Sequence, residues 1–296
     1  GKEKESKKPL IISTWQSLYK MPKEYFEKFD YIIGDEAHLF KAQSLTSILT
    51  SCTKAKYRIG LTGTLDGTKT HKLVLEGLFG PVFKVISTKE LIERKQLADF
   101  KIKCIVLKYP DNICKAVKGF TYQDEMQFLT QHEGRNNFIR DLAISLKGNS
   151  LILFTYVEKH GKILFDLITE KAGKRKIFFI HGGTEAEDRE AVRHITEKEN
   201  DAIIVASYGT FSTGVNIRNL HNIVFSSPTK SKIRSLQSIG RVLRLGENKD
   251  QAILYDIADD LRYGPYTNFT LKHYEERVKI YSEERFTFTS TNVRIS

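Results

Sequence analysis

Apolar and polar positions along this chain fall into two rhythms that alternate. Short runs of β-branched and aromatic residues are apolar at consecutive positions: "LIIST" (10–14), "YIIGDE" (31–36), "YRIGLTGT" (57–64), "SLILFTYV" (150–157), "KIFFIHG" (176–182), "AIIVAS" (202–207), "NIVFSSP" (222–228) and "AILYDI" (252–257). A strand with one face in water would alternate, so continuous runs predict parallel strands buried on both faces. Between them stand segments of helical period such as "VEKHGKILFDLITEKAG", where Ile163, Leu164, Leu167 and Ile168 share one side and Gly173 marks the stop. Strand and helix repeated in this way predict an α/β fold of parallel sheets flanked by helices.

The rhythm breaks between about residues 87 and 149. There "STKELIERKQLADFKIKCIVLKYP" and "GFTYQDEMQFLTQHEGRNNFIRDLAISL" read as a connector, an edge strand and a long helical stretch. A boundary therefore belongs near Ile86–Leu97. Residues 1–90 carry too few strands for a complete α/β domain, 91–262 have the right size for one, and 263–296 read as a short helical tail.

Composition narrows the picture. The chain has 296 residues, 40% hydrophobic and 28% charged, which is a globular balance. No apolar run approaches the roughly 18 residues of a membrane span, and the opening "GKEKESKKP" has no signal-peptide core and reads as a solvated linker. The first residue is Gly, so a fragment is expected. Cys52, Cys104 and Cys114 show neither disulfide nor metal spacing, which fits a reducing cytoplasm. Net charge is +11, favouring a polyanionic partner.

Candidate chemistry begins at "YIIGDEAH". Asp35 ends a strand, where it would hold Mg²⁺ through water, and Glu36 would orient and deprotonate an attacking water; His38 would sit at a domain interface. The alternative is that Asp-Glu simply opens a helix, where acids are favoured. Such chemistry needs a G-x-x-x-x-G-K-[ST] phosphate loop. The one look-alike, "GTLDGTKT" (63–70), puts Thr68 between Gly67 and Lys69, so the helix-start amides and the ammonium would not meet the same phosphates. "LTGT" (61–64) closes the next strand with Thr62, Gly63 and Thr64, either as a coupling element or as an ordinary strand exit.

Further along, "SLQSIGRVLRLG" sets Gln237, Arg241 and Arg244 at i, i+4, i+7, on one helix face, with Gly240 for close packing. Guanidiniums so fixed could neutralise charge developing on a γ-phosphate. "VASYGTFSTGVNI" (205–217) and "IHGGTEAEDRE" (180–190) follow buried strands with Ser, Thr and Gly suited to backbone approach to phosphates.

These four motifs, DExH at 35–38, LTGT at 61–64, the Ser/Thr/Gly segment at 207–217 and Q-x-x-G-R-x-x-R at 237–244, stand in the order found in superfamily 2 helicases, which the chain resembles over residues 9–290. Within that superfamily it is similar to the recombination helicases of T4-like bacteriophages. The resemblance implies tandem RecA-like domains, the first partial, with ATP and Mg²⁺ as cofactors and branched or single-stranded DNA as partner. It implies catalytic roles for Asp35, Glu36, His38, Gln237, Arg241 and Arg244, with Asp35 at the metal. Nucleotide contact falls to Asp35, Glu36, Gly214, Asn216, Arg241 and Arg244. Thr14, Thr62, Gly63, Thr64, His181, Gly182, Ser207 and Thr210 would serve strand contact and coupling. Many relatives carry an acid where Asn216 stands. The phosphate loop would lie ahead of Gly1. A duplex translocase and a binding module without turnover remain the alternative readings.

Overall fold

The computed structural model describes residues 8–295, apart from 41, 64, 66, 67, 215, 216, 229–238, 241, 242, 247 and 248. The chain divides into two compact units, residues 1–85 and 86–296.

In the first unit, helices α1 (Trp15–Leu18) and α2 (Lys23–Phe26) precede strand β1 (Tyr31–Gly34), a 3₁₀ turn (Ala37–Leu39), α3 (Gln43–Ser51), β2 (Tyr57–Gly60) and α4 (Lys69–Phe79). β1 and β2 pair in parallel, with Gly34 opposite Gly60. Leu45 and Leu49 of α3 and Leu75 and Leu78 of α4 form a core with Ala37 and Phe40. The two glycines make that core possible: a Cβ at Gly34 would stand 2.9 Å from the Phe40 ring, and one at Gly60 3.0 Å from Phe79. The run "LIIST" departs from expectation. Residues 10–14 form no strand, and Leu10 and Ile12 face solvent. A strand needs a ladder, and neither described strand of this unit pairs with them.

The second unit opens with α5 (Thr88–Glu93), started by a capping box between Ser87 and Glu90. It continues through β3 (Asp99–Lys108), α6 (Asp111–Ala116), α7 (Tyr122–Gln131), α8 (Glu133–Ser145), β4 (Ser150–Phe154), a π-helical turn (Val157–Gly161), α9 (Lys162–Lys171) and β5 (Ile177–Ile180). Then come α10 (Ala186–Lys198), β6 (Ile203–Ser207), α11 (Tyr208–Gly214), β7 (Asn222–Phe225), β8 (Gln251–Asp260), α12 (Phe269–Glu283) and β9 (Thr287–Arg294). The strands form one sheet in the order β5-β6-β4-β7-β8-β3-β9, parallel throughout.

The continuous apolar runs mark the strands at its centre. Every residue of β4 and β7 is buried, because one face packs on α10, α11 and α12 and the other on α6 to α9. Each such Leu, Ile or Phe contributes roughly 1.5–3 kcal/mol by leaving water. α9 buries Leu164 and Ile168, and Gly173 beyond it takes φ +63 in the left-handed region.

Two expectations need correction. β3 is not an edge strand: it pairs with β8 on one side and β9 on the other. The tail is more than helical, since beyond α12 it supplies β9, which forms the sheet edge. Among the described residues no helix is long and apolar enough to cross a membrane.

Candidate functional site

At the end of β1 the ladder continues past the strands. Leu61 N–H donates to the Gly34 carbonyl (2.9 Å), and Ala37 N–H donates to the Leu61 carbonyl (2.8 Å), so 34–38 and 60–62 are zipped together. Asp35 lies exposed at this strand end; its Oδ1 accepts the Glu36 N–H at 2.9 Å, and Oδ2 makes no hydrogen bond among the described residues. Glu36 adopts a left-handed backbone, φ 49 and ψ 49, rare for a residue with a Cβ. That twist lifts its carboxylate out of the strand direction; the side chain stays 50% exposed, with Oε2 3.2 Å from His38 Nδ1.

His38 is buried, and the same ring nitrogen stands 3.0 Å from Thr62 Oγ1. One imidazole nitrogen is therefore shared between the carboxylate of the first motif and the hydroxyl of the second. The acids do precede a helical turn, as the plainer reading required, but that turn has three residues and makes no side-chain cap with Glu36. Gly63 is in open space. Thr64 lies outside the described residues. Thr14, before α1, is exposed and its hydroxyl is 3.2 Å from that of Ser17.

In the second unit His181 and Gly182 follow the carboxyl end of β5, and Ser207 and Thr210 stand at that of β6. β4 is central, and the strand order reverses around it, the place where open α/β sheets bind ligands. After β5, His181 N–H donates to Thr184 Oγ1 (3.0 Å) and Gly183 N–H to His181 Nδ1 (3.1 Å), closing a tight turn that leaves Gly182 exposed. After β6, Ser207 caps α11: its hydroxyl lies 2.8 Å from Thr210 Oγ1 and accepts the Thr210 N–H at 3.3 Å. Thr210 is itself buried. α11 ends at Gly214.

The arginine motif is described only in part. Gln237, Arg241 and Asn216 lie outside the described residues. Ile239 and Leu243 are buried one helical turn apart, and Arg244 is exposed. Gly240 does not pack closely: no described atom lies within 4 Å of a Cβ built there. The expected reason for a glycine at that position is therefore absent from the described surroundings.

Sequence reading missed what lies beneath these strand ends. Arg135 of α8 is fully buried and bonds Asp259 through Nε (2.8 Å) and NH2 (3.0 Å), and NH2 also donates to the Ser226 carbonyl (2.7 Å). Tyr109 donates to the same Asp259 carboxylate at 2.8 Å. Beside it, Ser227 Oγ accepts the Thr155 N–H and lies 2.9 Å from Nδ1 of buried His160, while Tyr208 donates to the Ser227 carbonyl. Burial, and then the Arg135 charge, hold His160 well below its usual range, so it stays neutral. Burial opposes the Arg135 charge too, but the Asp259 carboxylate outweighs it and raises the pKa. This network fixes the ends of β4, β7 and β8 from below. Its only sequence signal was the pair of serines after β7.

Two family models match the chain: "Helicase conserved C-terminal domain" over residues 134–246 and "Type III restriction enzyme, res subunit" over residues 1–67. The ATP-dependent DNA helicase UvsW of Enterobacteria phage T4 is 36% identical over 97% of this chain and 59% of its own length. Its crystal structure matches with a TM-score of 0.59 at 34% identity, covering 95% of this chain and 57% of that one. The chain thus spans somewhat over half of that relative. A fragment of a putative HsdR subunit of a type I restriction enzyme from Vibrio vulnificus matches at TM-score 0.69 and 16% identity, over 95% of this chain and 51% of that one. The type ISP restriction-modification enzyme LlaBIII matches at 0.67 and 17%, over 95% and 23%. The last two speak for the fold alone.

Proposed function

We propose that the chain, which resembles the superfamily 2 helicases, carries the carboxyl-terminal part of an ATP-dependent DNA helicase acting on branched DNA, in branch migration, fork remodelling and recombinational repair. The observation that carries the reading is the shared contact of His38 with Glu36 and Thr62, which joins a candidate hydrolytic carboxylate to the next strand end. A purely structural Asp-Glu pair has no need of that link.

In this reading Glu36 accepts the proton of the attacking water, to which its half-exposed carboxylate is open while Oε2 contacts His38. Asp35 offers one oxygen not already bonded. Mg²⁺ is commonly held by one or two carboxylates together with substrate phosphates, so a single free carboxylate oxygen fits that ion. When bound, Mg²⁺ would neutralise charge on the phosphates of ATP. Arg241 and Arg244 are assigned to clamp the transferring phosphoryl group, Gln237 to act with them, and Gly214 and Asn216 to contact the nucleotide. Thr62 passes the state of the nucleotide on through His38, and Thr64 is assigned to the same coupling. Thr14 and Gly63 in the first unit, and His181, Gly182, Ser207 and Thr210 at the strand ends of the second, are assigned to strand contact, and exposed Gly182 lets a phosphate approach the backbone. The phosphate loop is not among these 296 residues, so turnover belongs to the full-length protein.

A second reading, a motor that travels on duplex DNA without separating it, draws on the "Type III restriction enzyme, res subunit" match over residues 1–67. A strand-displacement assay on a three-way junction separates the two. Release of the displaced strand, dependent on ATP, supports the helicase. Translocation, read by triplex displacement without strand release, replaces it with the translocase.

A further inference from the structure

One buried cation lies outside every role assigned so far. Lys249 follows the arginine-bearing segment and is almost wholly buried, 2% exposed. Its ammonium donates to the Arg244 carbonyl at 2.9 Å and to the Arg218 carbonyl at 3.1 Å. Arg244 is the last residue of the Q-x-x-G-R-x-x-R motif; Arg218 stands just beyond the Ser/Thr/Gly segment.

We propose that Lys249 is a positioning residue that ties these two segments together, fixing the end of the arginine motif relative to the stretch that leads into β7. The proposal rests on the helicase reading above for its functional consequence.

The surroundings are built for such a tie. Arg218 is held from both sides: its N–H donates to Glu197 Oε1 at 2.6 Å, and its carbonyl accepts from Lys249. Gly246 pairs with Lys249 in an antiparallel bridge, and a Cβ at Gly246 would stand 3.4 Å from the Arg218 carbonyl oxygen. The Gly246–Lys249 bridge thus brings the ammonium back over the end of its own segment. Leu243 is anchored independently, buried in the core and accepting the Ala98 N–H at 2.8 Å. The backbone at the base of the arginine segment is therefore pinned at Leu243 and again at Arg244.

An apolar residue could fill the space Lys249 occupies, and burying an ammonium opposes folding. Burial pushes the lysine down to about 8, with Glu197 pulling the other way. A charge retained in that setting is explained by the two carbonyls, which no apolar side chain would satisfy. Guanidiniums act on a phosphoryl group only within a narrow geometry, so a shift of about 1 Å in their base would cost on the order of a hundredfold in rate.

The test compares wild type, Lys249→Met and Lys249→Arg in the full-length protein, reading amide hydrogen exchange peptide by peptide and ATP turnover with DNA. The expected result for Lys249→Met is exchange at least tenfold faster in peptides covering 217–221 and 243–246, with β4 and β6 unchanged. Its kcat should fall at least tenfold, while the KM for ATP and the affinity for DNA stay within about twofold. Lys249→Arg, which keeps a donor for each carbonyl, should restore most of both. Exchange that rises uniformly through the second unit, or stays as in wild type, overturns the proposal, as does local loosening with kcat intact. If wild type itself shows no turnover, the helicase reading fails, and exchange alone decides whether Lys249 ties the segments.

Discussion

At the scale of single residues, the account turns on groups whose geometry is set by neighbours rather than by their own element. Arg241 and Arg244 are assigned as clamps on developing charge. Alanine at either should slow ATP hydrolysis by the full-length protein by about 10³-fold. Lysine should rescue little, because a point charge lacks the planar fork. Near-normal turnover of either alanine variant at saturating ATP and DNA would remove that arginine from the mechanism. Lys249 makes a second claim, about stability and pH. Its folded pKa, about 8, lies below the 10.5 of an ordinary lysine. Between those values the unfolded chain binds more protons than the folded one, so this group's contribution rises with pH across about 8 to 10.5. Burial sets the lower bound of the window, and Glu197 limits how far down it reaches. Thermal unfolding of wild type against Lys249→Met from pH 7.5 to 10.5 checks this: the difference should shift in favour of wild type as pH rises. A difference that is flat, or moves the other way, contradicts it.

At the scale of elements, packing makes two demands that mutation can measure. Gly60→Ala places a Cβ 3.0 Å from Phe79 and from Ala37, at the floor of the carboxylate strand. Overpacking of this kind costs about 1–3 kcal/mol, read as a lowered urea midpoint for the first unit. Arg135→Met leaves Asp259 buried without its partner and should cost about 3–5 kcal/mol; an effect under about 1 kcal/mol would mean that the network does not hold the sheet edge. How far these elements were legible follows from the same physics. β4, β6 and β7 announced themselves because strands covered on both faces must be apolar throughout. β3 alternates, with Lys101 and Lys103 exposed, and so read as an edge. β9, "TFTSTNVR", is exposed at nearly every position and carries no burial signal, since a sheet margin needs only backbone pairing. "LIIST" failed for the opposite reason, being apolar enough for a strand but without a ladder. Among site residues, DExH and LTGT were legible as motifs, but their junction through His38 was not, because it joins positions 24 residues apart. The Arg135–Asp259 pair, 124 apart, left no local trace at all.

At the scale of the whole molecule, the net charge of +11 and the hydroxyl- and glycine-rich sheet edge suit a partner held by its phosphates. A motor must hold any sequence it crosses. Affinity for DNA should therefore fall linearly in log–log plots against salt, and loss of one contacting Lys or Arg should flatten the slope by about one. Two scrambled oligonucleotides of equal length should bind alike. A preference above about a hundredfold would mean that bases are read at roughly 1–3 kcal/mol each, and a sequence-specific binding module would replace the motor. The chain as given, lacking a phosphate loop, should bind DNA yet hydrolyse no ATP above background. The central claim, that Glu36 serves an ATP-driven DNA motor, is tested most directly by steady-state ATP hydrolysis of the full-length protein with and without branched DNA, for wild type and Glu36→Gln. The account predicts turnover that DNA stimulates in wild type. In Glu36→Gln turnover should disappear while nucleotide binding persists, since the amide keeps the shape but cannot accept the water's proton. Hydrolysis by Glu36→Gln at the wild-type rate would contradict it.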